Sequence, residues 1–126
     1  MARWIVDGMN VIGSRPDGWW RDRDGAVVEL ARRLGRFAAG SGDEVTAVFD
    51  GRRPSRLGDD DGGDIAVVFA GRGASADDEI ARRVAADTEP ASLRVVTSDA
   101  ELAGRVRASG AAVAGAGEFR RRLDPA

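Results

Sequence analysis

Five aspartates stand where a carboxylate is useful to chemistry. Asp7 closes the apolar run Trp4-Ile5-Val6, and Asp50 closes Val45-Thr46-Ala47-Val48-Phe49. Asp99 follows Leu93-Arg94-Val95-Val96-Thr97-Ser98, while Asp77 and Asp78 come just after Ser75. Short apolar runs bounded by Gly, Asn and Asp read as buried strands. A carboxylate at a strand's exit lies where open parallel sheets bind their ligands. Several carboxylates brought to one rim repel one another unless they are protonated or neutralised, and a divalent cation is the obvious neutraliser. Oxygen donors without His or Cys favour Mg²⁺ or Mn²⁺ over zinc. Such a cation lowers the pKa of an attacking water and stabilises the charged transition state of phosphodiester hydrolysis, with no histidine base required.

Each acid also has an ordinary structural role. Asp99 is a good helix N-cap. Asp77 and Asp78 suit the first turn of a helix through the macrodipole. Asp50 before Gly51 suits a turn. The metal reading rests on the set rather than on any one member.

Composition narrows the chemistry. The chain has 126 residues, the size of one domain spanning 1–126. It contains no Cys, so disulfides and thiolate metal sites are excluded. It contains no His, which removes the Ser/His/Asp triad and the commonest zinc ligand. All 19 basic residues are Arg, so a single Arg is weak evidence of anion recognition. The net charge of -2 argues that a nucleic-acid partner would be held locally. No apolar stretch reaches membrane-spanning length and no signal-like segment opens the chain, so a cytoplasmic location and no membrane partner are expected.

The elements that must position the acids follow in order. After the first strand, residues 13–24 read as a polar loop with a Pro16-Asp17-Gly18 turn and the pair Trp19-Trp20. Asp24 is the expected N-cap of a helix over about 25–39, ended by Gly40-Ser41-Gly42. The second strand covers about 44–49. Residues 51–63 form a loop whose Asp59-Asp60-Asp61 run is not a calcium loop, because Ala70 stands where the bidentate Glu is needed. A third strand at 65–69 leads to a helix over 76–86 capped by Ser75. The fourth strand covers 93–97, Asp99 caps a helix over 100–108, a short strand covers 111–114, and a helix covers 118–123. This alternation predicts a three-layer α/β/α fold with a mainly parallel sheet. The second-to-third strand connection lacks a helix, which leaves that pairing open to be antiparallel or differently ordered.

At these residues the chain resembles the NYN domains of the PIN-like nuclease superfamily, in particular the bacterial YacP-like subgroup. The matching pieces are Ile5-Val6-Asp7-Gly8-Met9-Asn10-Val11-Ile12-Gly13, Val48-Phe49-Asp50, Val67-Val68-Phe69 leading to Ser75-Ala76-Asp77-Asp78-Glu79-Ile80, and Val95-Val96-Thr97-Ser98-Asp99. The resemblance implies a PIN-like α/β/α fold and a Mg²⁺- or Mn²⁺-dependent endoribonuclease, associated in some members with ribosomes or translated messages. It implies that Asp7, Asp50, Asp77 and Asp99 are the acidic metal and water ligands, that Asn10 holds the first loop and Asp7 in place, and that Gly8 permits close backbone approach. Family members often carry Lys or aromatic residues after the second strand, where this chain has Arg52, Arg53 and Arg56 followed by three Asp.

Expected contacts to single-stranded RNA are Arg52 and Arg53, which follow Asp50 directly, and one of Trp19 and Trp20 as a stacking platform. Arg120, Arg121 and Arg122 read as a solvated helix face. A non-catalytic RNA- or ribosome-binding module on the same fold is the rival from another class. A nucleotide-binding domain is disfavoured, because neither a Walker loop nor G-x-G-x-x-G follows the first strand.

Overall fold

The computed structural model describes residues 2–124. Strands β1 (Arg3–Asp7), β2 (Glu44–Phe49), β3 (Ala66–Phe69), β4 (Leu93–Val96) and β5 (Ala112–Ala114) form one sheet in the order β3-β2-β1-β4-β5. Every neighbouring pair is parallel. Helices α1 (Gly8–Ile12), α2 (Arg23–Ser41), α3 (Ala76–Ala86), α4 (Ala100–Ala108) and α5 (Ala116–Leu123) complete the fold, with 3₁₀ turns at Trp19–Asp22 and Pro90–Ser92.

The two faces of the sheet are separated by the two-residue period of its strands. Trp4, Val6, Val45, Ala47, Phe49 and Val96 pack on one side with Val27, Leu30 and Leu34 of α2 and Phe119 of α5. Ile5, Val48, Leu93 and Val95 pack on the other with Ile80 and Val84 of α3 and Leu102 and Val106 of α4. No helix among the described residues is long and apolar enough to cross a membrane.

Several boundaries differ from expectation, α2 running on to Ser41 and α5 starting at Ala116 among them. The first strand ends at Asp7 and turns at once into α1, because Gly8-Met9-Asn10-Val11-Ile12 places Val11 and Ile12 on the core. Trp19–Asp22 forms a 3₁₀ turn inside the segment read as loop, and α2 starts at Arg23, capped by Asp22 rather than Asp24. The Asp22 carboxylate accepts the Gly25 N–H at 3.1 Å. Gly42, at φ 75°, takes the left-handed conformation that ends α2, and its N–H reaches the Ala38 carbonyl.

The open connection between β2 and β3 is resolved as a parallel crossover without a helix. Consecutive turns fill it, and Leu57 plugs against Val28 and Ala31 of α2 as a crossover helix would. The loop can lie flat on α2 because Gly35 faces Gly62: a Cβ on Gly35 would stand 2.6 Å from the Gly62 carbonyl oxygen. The expected solvated face holds at Arg121 and Arg122, which are exposed, and is corrected at Arg120. Arg120 donates to the Val11 and Ile12 carbonyls that end α1, and Arg122 lies 5.3 Å over the Trp4 ring.

Gly8 is required by the switch from β1 to α1. A Cβ there would stand 2.3 Å from the ring of Phe49, which is fully buried and stacked on Phe69. Gly8→Ala is therefore expected to destabilise the fold by about 1–3 kcal/mol through overpacking, read as a lowered urea midpoint; an unchanged midpoint would contradict this packing.

Candidate active site

The strand order reverses direction between β1 and β4, so the crevice beyond their carboxyl ends is the topological switch point of the sheet. Asp7 leaves β1 there. The register that pairs Val6 with Val96 sets Asp7 beside Thr97. Asp7 and Thr97 are the buried polar residues of the core, 4% and 1% exposed. The Thr97 hydroxyl donates to Asp7 Oδ2 at 3.0 Å, and its oxygen accepts the Asp99 backbone N–H at 3.1 Å. One hydroxyl thus joins the first acid to the segment bearing the last.

Asn10 makes the second tie. Its Oδ1 accepts the Ser98 N–H at 2.7 Å, and the Ser98 hydroxyl in turn accepts the Ala116 N–H at the start of α5. Asp99 caps α4 through Leu102 N–H at 2.9 Å. Across the sheet, Asp50 Oδ1 accepts the Ala76 N–H at 2.8 Å, which fixes the start of α3 and with it Asp77. The Asp50 carbonyl is held by Arg23 at 2.6 Å.

Ionisation shows that these acids sense one another. Burial lifts the Asp7 carboxyl from its ordinary 3.8 to about 6, with the Thr97 hydroxyl opposing and the charges of Asp77 and Asp50 adding to the rise. Asp77 is raised by burial and then by Asp99 and Asp50, with Arg105 opposing. Asp78 behaves differently: it is exposed, pairs with Arg105 at 2.9 Å and is lowered by that bond. Asp77 is the member of the pair that faces the other acids.

The expected rim residues Asp7, Asn10, Asp50, Asp77 and Asp99 therefore share one edge of the sheet. Among the described residues, however, no three acids close on a single point at metal-binding distance. The donor set suits a hard divalent cation in its chemistry, being oxygen alone with a buried acid at its centre. The acids share this edge of the sheet without forming a closed cage.

The expected RNA contacts divide. Arg52 is exposed and makes no ion pair among the described residues, whereas Arg53 is turned back onto the Leu57 carbonyl and Asp59. Trp19 packs against the core, and Trp20 is 58% exposed. Sequence reading passed over Thr97, Ser98, Arg23 and Arg105. Thr97 had a signal, since a threonine directly after the buried Val95-Val96 of β4 lies beside Asp7 once β1 and β4 are paired.

The parallel α/β/α sandwich in the order 3-2-1-4-5 is the fold of solved YacP structures. The YacP-like NYN domain family matches residues 4–126, and the chain belongs to it. Two crystal structures of Rae1 (YacP) from Bacillus subtilis, one of them the W164L mutant, are similar throughout. The mutant superposes with a TM-score of 0.79 at 24% identity, covering 98% of this chain and 75% of that one. The other gives a TM-score of 0.74 at 24% identity, covering 98% and 74%. No curated protein matches the sequence.

Because the folded state holds a proton on Asp7 more tightly than the unfolded chain, stability is present below 3.8 and declines as pH rises through about 6. Asp7→Asn removes this penalty. The substituted protein, without added metal, is expected to be more stable than the parent at pH 8, by up to about 3 kcal/mol, and little different at pH 4. Urea melts at both pH values check this, and equal midpoints at pH 8 would contradict it.

Proposed function

We propose that this domain is a divalent-cation-dependent endoribonuclease that hydrolyses single-stranded RNA. The observation that carries the reading is Asp7, buried at the switch point, raised to about 6 and flanked by acids that oppose its ionisation. A protein accepts that arrangement at a cost, and perturbed acids in a crevice are characteristic of functional sites. Membership of the YacP-like NYN family supports RNA as the substrate and a nuclease as the class.

Asp7, Asp50, Asp77 and Asp99 would hold Mg²⁺ or Mn²⁺, which supplies water activation and stabilisation of the charge developed on phosphate. The chain's own residues prepare the site. Thr97 orients Asp7 and spaces it from Asp99. Asn10 ties α1 to the segment between β4 and α4, so that the first and last acids keep a fixed relation. Asp50 fixes the N-terminus of α3, and Arg105 tempers the charge at Asp77. Asp7 must shed its proton to bind a cation, so cation affinity falls as pH drops below about 6.

The test is cleavage of a labelled single-stranded RNA with Mn²⁺, with Mg²⁺ and with chelator. Cleavage is expected with metal and abolished by chelator, by Asp7→Asn and by Asp99→Asn, while Thr97→Val costs about 10- to 100-fold as outer-sphere substitutions do. Cleavage that persists in chelator or in both Asn variants overturns the mechanism. RNA binding without cleavage in either metal establishes the non-catalytic module instead.

A further inference from the structure

The arginines of this chain are not spent evenly. Arg3, Arg15, Arg32, Arg33, Arg36, Arg53, Arg56, Arg82, Arg83, Arg105 and Arg120 are each paired with a carboxylate. Arg94 and Arg122 lie over the buried Trp4 ring. Among the described residues, Arg107 on α4 and Arg121 on α5 also lack a carboxylate partner and stand singly, whereas Arg21, Arg23, Arg52 and Arg72, likewise without one, lie together.

Their backbones converge beside Asp50. Gly51 and Gly71 form an isolated antiparallel bridge, with Gly71 N–H on the Gly51 carbonyl at 3.2 Å, so Arg52 and Arg72 leave adjacent points. Arg23 reaches the same place from α2: it donates to the Asp50 carbonyl, and its guanidinium lies 3.3 Å from where a Gly51 Cβ would stand. Arg21 precedes it by two residues and lies 5.9 Å from the ring of Trp20, the large apolar side chain most open to solvent. The acids nearby are accounted for: Asp22 is taken by Arg56, and Asp50 is turned to Ala76. Asp24 is exposed on the outer side of the α2 start.

We propose that Arg23, Arg52 and Arg72, with Trp20, form the strip that docks single-stranded RNA on the β2–β3 side of the acidic crevice, the guanidinium groups taking backbone phosphates and the indole stacking an unpaired base. This rests on the ribonuclease reading and goes beyond it by giving the strand a side of entry. Charge complementarity argues for the occupant. In a chain of net charge -2, three unneutralised cations gathered on one flank of a rim of acids suit a polyanion whose scissile phosphate must lie over the acids. The exposed indole suits an unpaired base, which an A-form duplex does not present. Arg53 and Trp19 drop out, the one neutralised by Asp59 and the other packed against the core.

The experiment measures binding of a fluorescein-labelled uridine dodecamer in chelator by the full chain, so that cleavage does not intervene. Arg52→Glu/Arg72→Glu is expected to weaken binding about tenfold or more and to flatten the dependence of log K on log[salt] by roughly 1.4, the share of two phosphates on a single strand. Trp20→Ala is expected to weaken binding about 5-fold or more with an unchanged salt slope. Arg107→Glu, on the exposed far end of α4, is expected to bind as the parent does. Unchanged affinity in the double Glu variant, or an equal loss in Arg107→Glu, overturns the strip. A parent that cleaves RNA while the double variant keeps the parental KM overturns the strip and leaves the ribonuclease reading intact. Strip-dependent binding without cleavage in Mg²⁺ or Mn²⁺ supports the strip and removes the catalysis.

Discussion

A carboxylate taken out of water at the end of the central strand is the constraint around which this molecule is arranged. An isolated buried charge is far more costly than a buried hydroxyl, and proteins ordinarily respond by pairing it or protonating it. Among the described residues no cation pairs with Asp7: its side-chain partner is the Thr97 hydroxyl, and the neighbouring charges that act on it, Asp77 and Asp50, are of its own sign. The surrounding structure must hold this arrangement in place. Gly8 lets the chain turn under the Phe49 ring, Asn10 ties α1 to the Ser98 backbone, and Ser98 passes the tie on to α5. Segments far apart in sequence are thereby locked round one acid.

The layers of the sandwich were legible because both periods are clean. Val6 and Trp4 alternate with Ile5 on β1, and Ile80 and Val84 lie one helical turn apart on α3, so strand and helix could each be assigned a buried face. The short helix α1 was hidden because Met9, Val11 and Ile12 continue an apolar run without a cap or breaker, and five residues are too few to show a helical period. The β2–β3 pairing was hidden for another reason. Parallel crossovers are normally recognised by their helix, and here Leu57 and the facing Gly35 and Gly62 do that work with no periodic signal. The acids of the rim could be named from strand ends alone. Which of Asp77 and Asp78 faces it could not, since the answer lies with Arg105 on α4, 27 residues away.

An all-Arg complement makes single arginines uninformative in the sequence, and the structure restores the missing contrast through pairing. Exposed ion pairs contribute little to stability, a median of about 0–1 kcal/mol. Their clearer consequence is the map of charge they leave behind. Arg82 on Glu79 and Arg3 on Asp87 cancel locally. Beside Asp50 two patches of opposite sign adjoin, acids at the switch point and the unpaired guanidinium groups of Arg23, Arg52 and Arg72. Neither patch is visible in the net charge of -2.

The capping and ligand readings of the acids were set against each other in the sequence, yet the geometry does not require a choice. Asp99 uses Oδ1 for the Leu102 N–H, and Asp50 uses Oδ1 for the Ala76 N–H, and among the described residues neither second oxygen makes a hydrogen bond. A bond to a helix N-terminus fixes the position and plane of the carboxyl group. The remaining oxygen is thereby aimed without being consumed. Asp7 takes its orientation from the Thr97 hydroxyl, and burial raises its pKa against the opposing pull of that hydroxyl and of the Asn10 backbone. The acids at the helix starts are thus held oriented, while the one at the switch point is held buried. A cation entering the crevice would be drawn most strongly toward the acid that gains most from neutralisation.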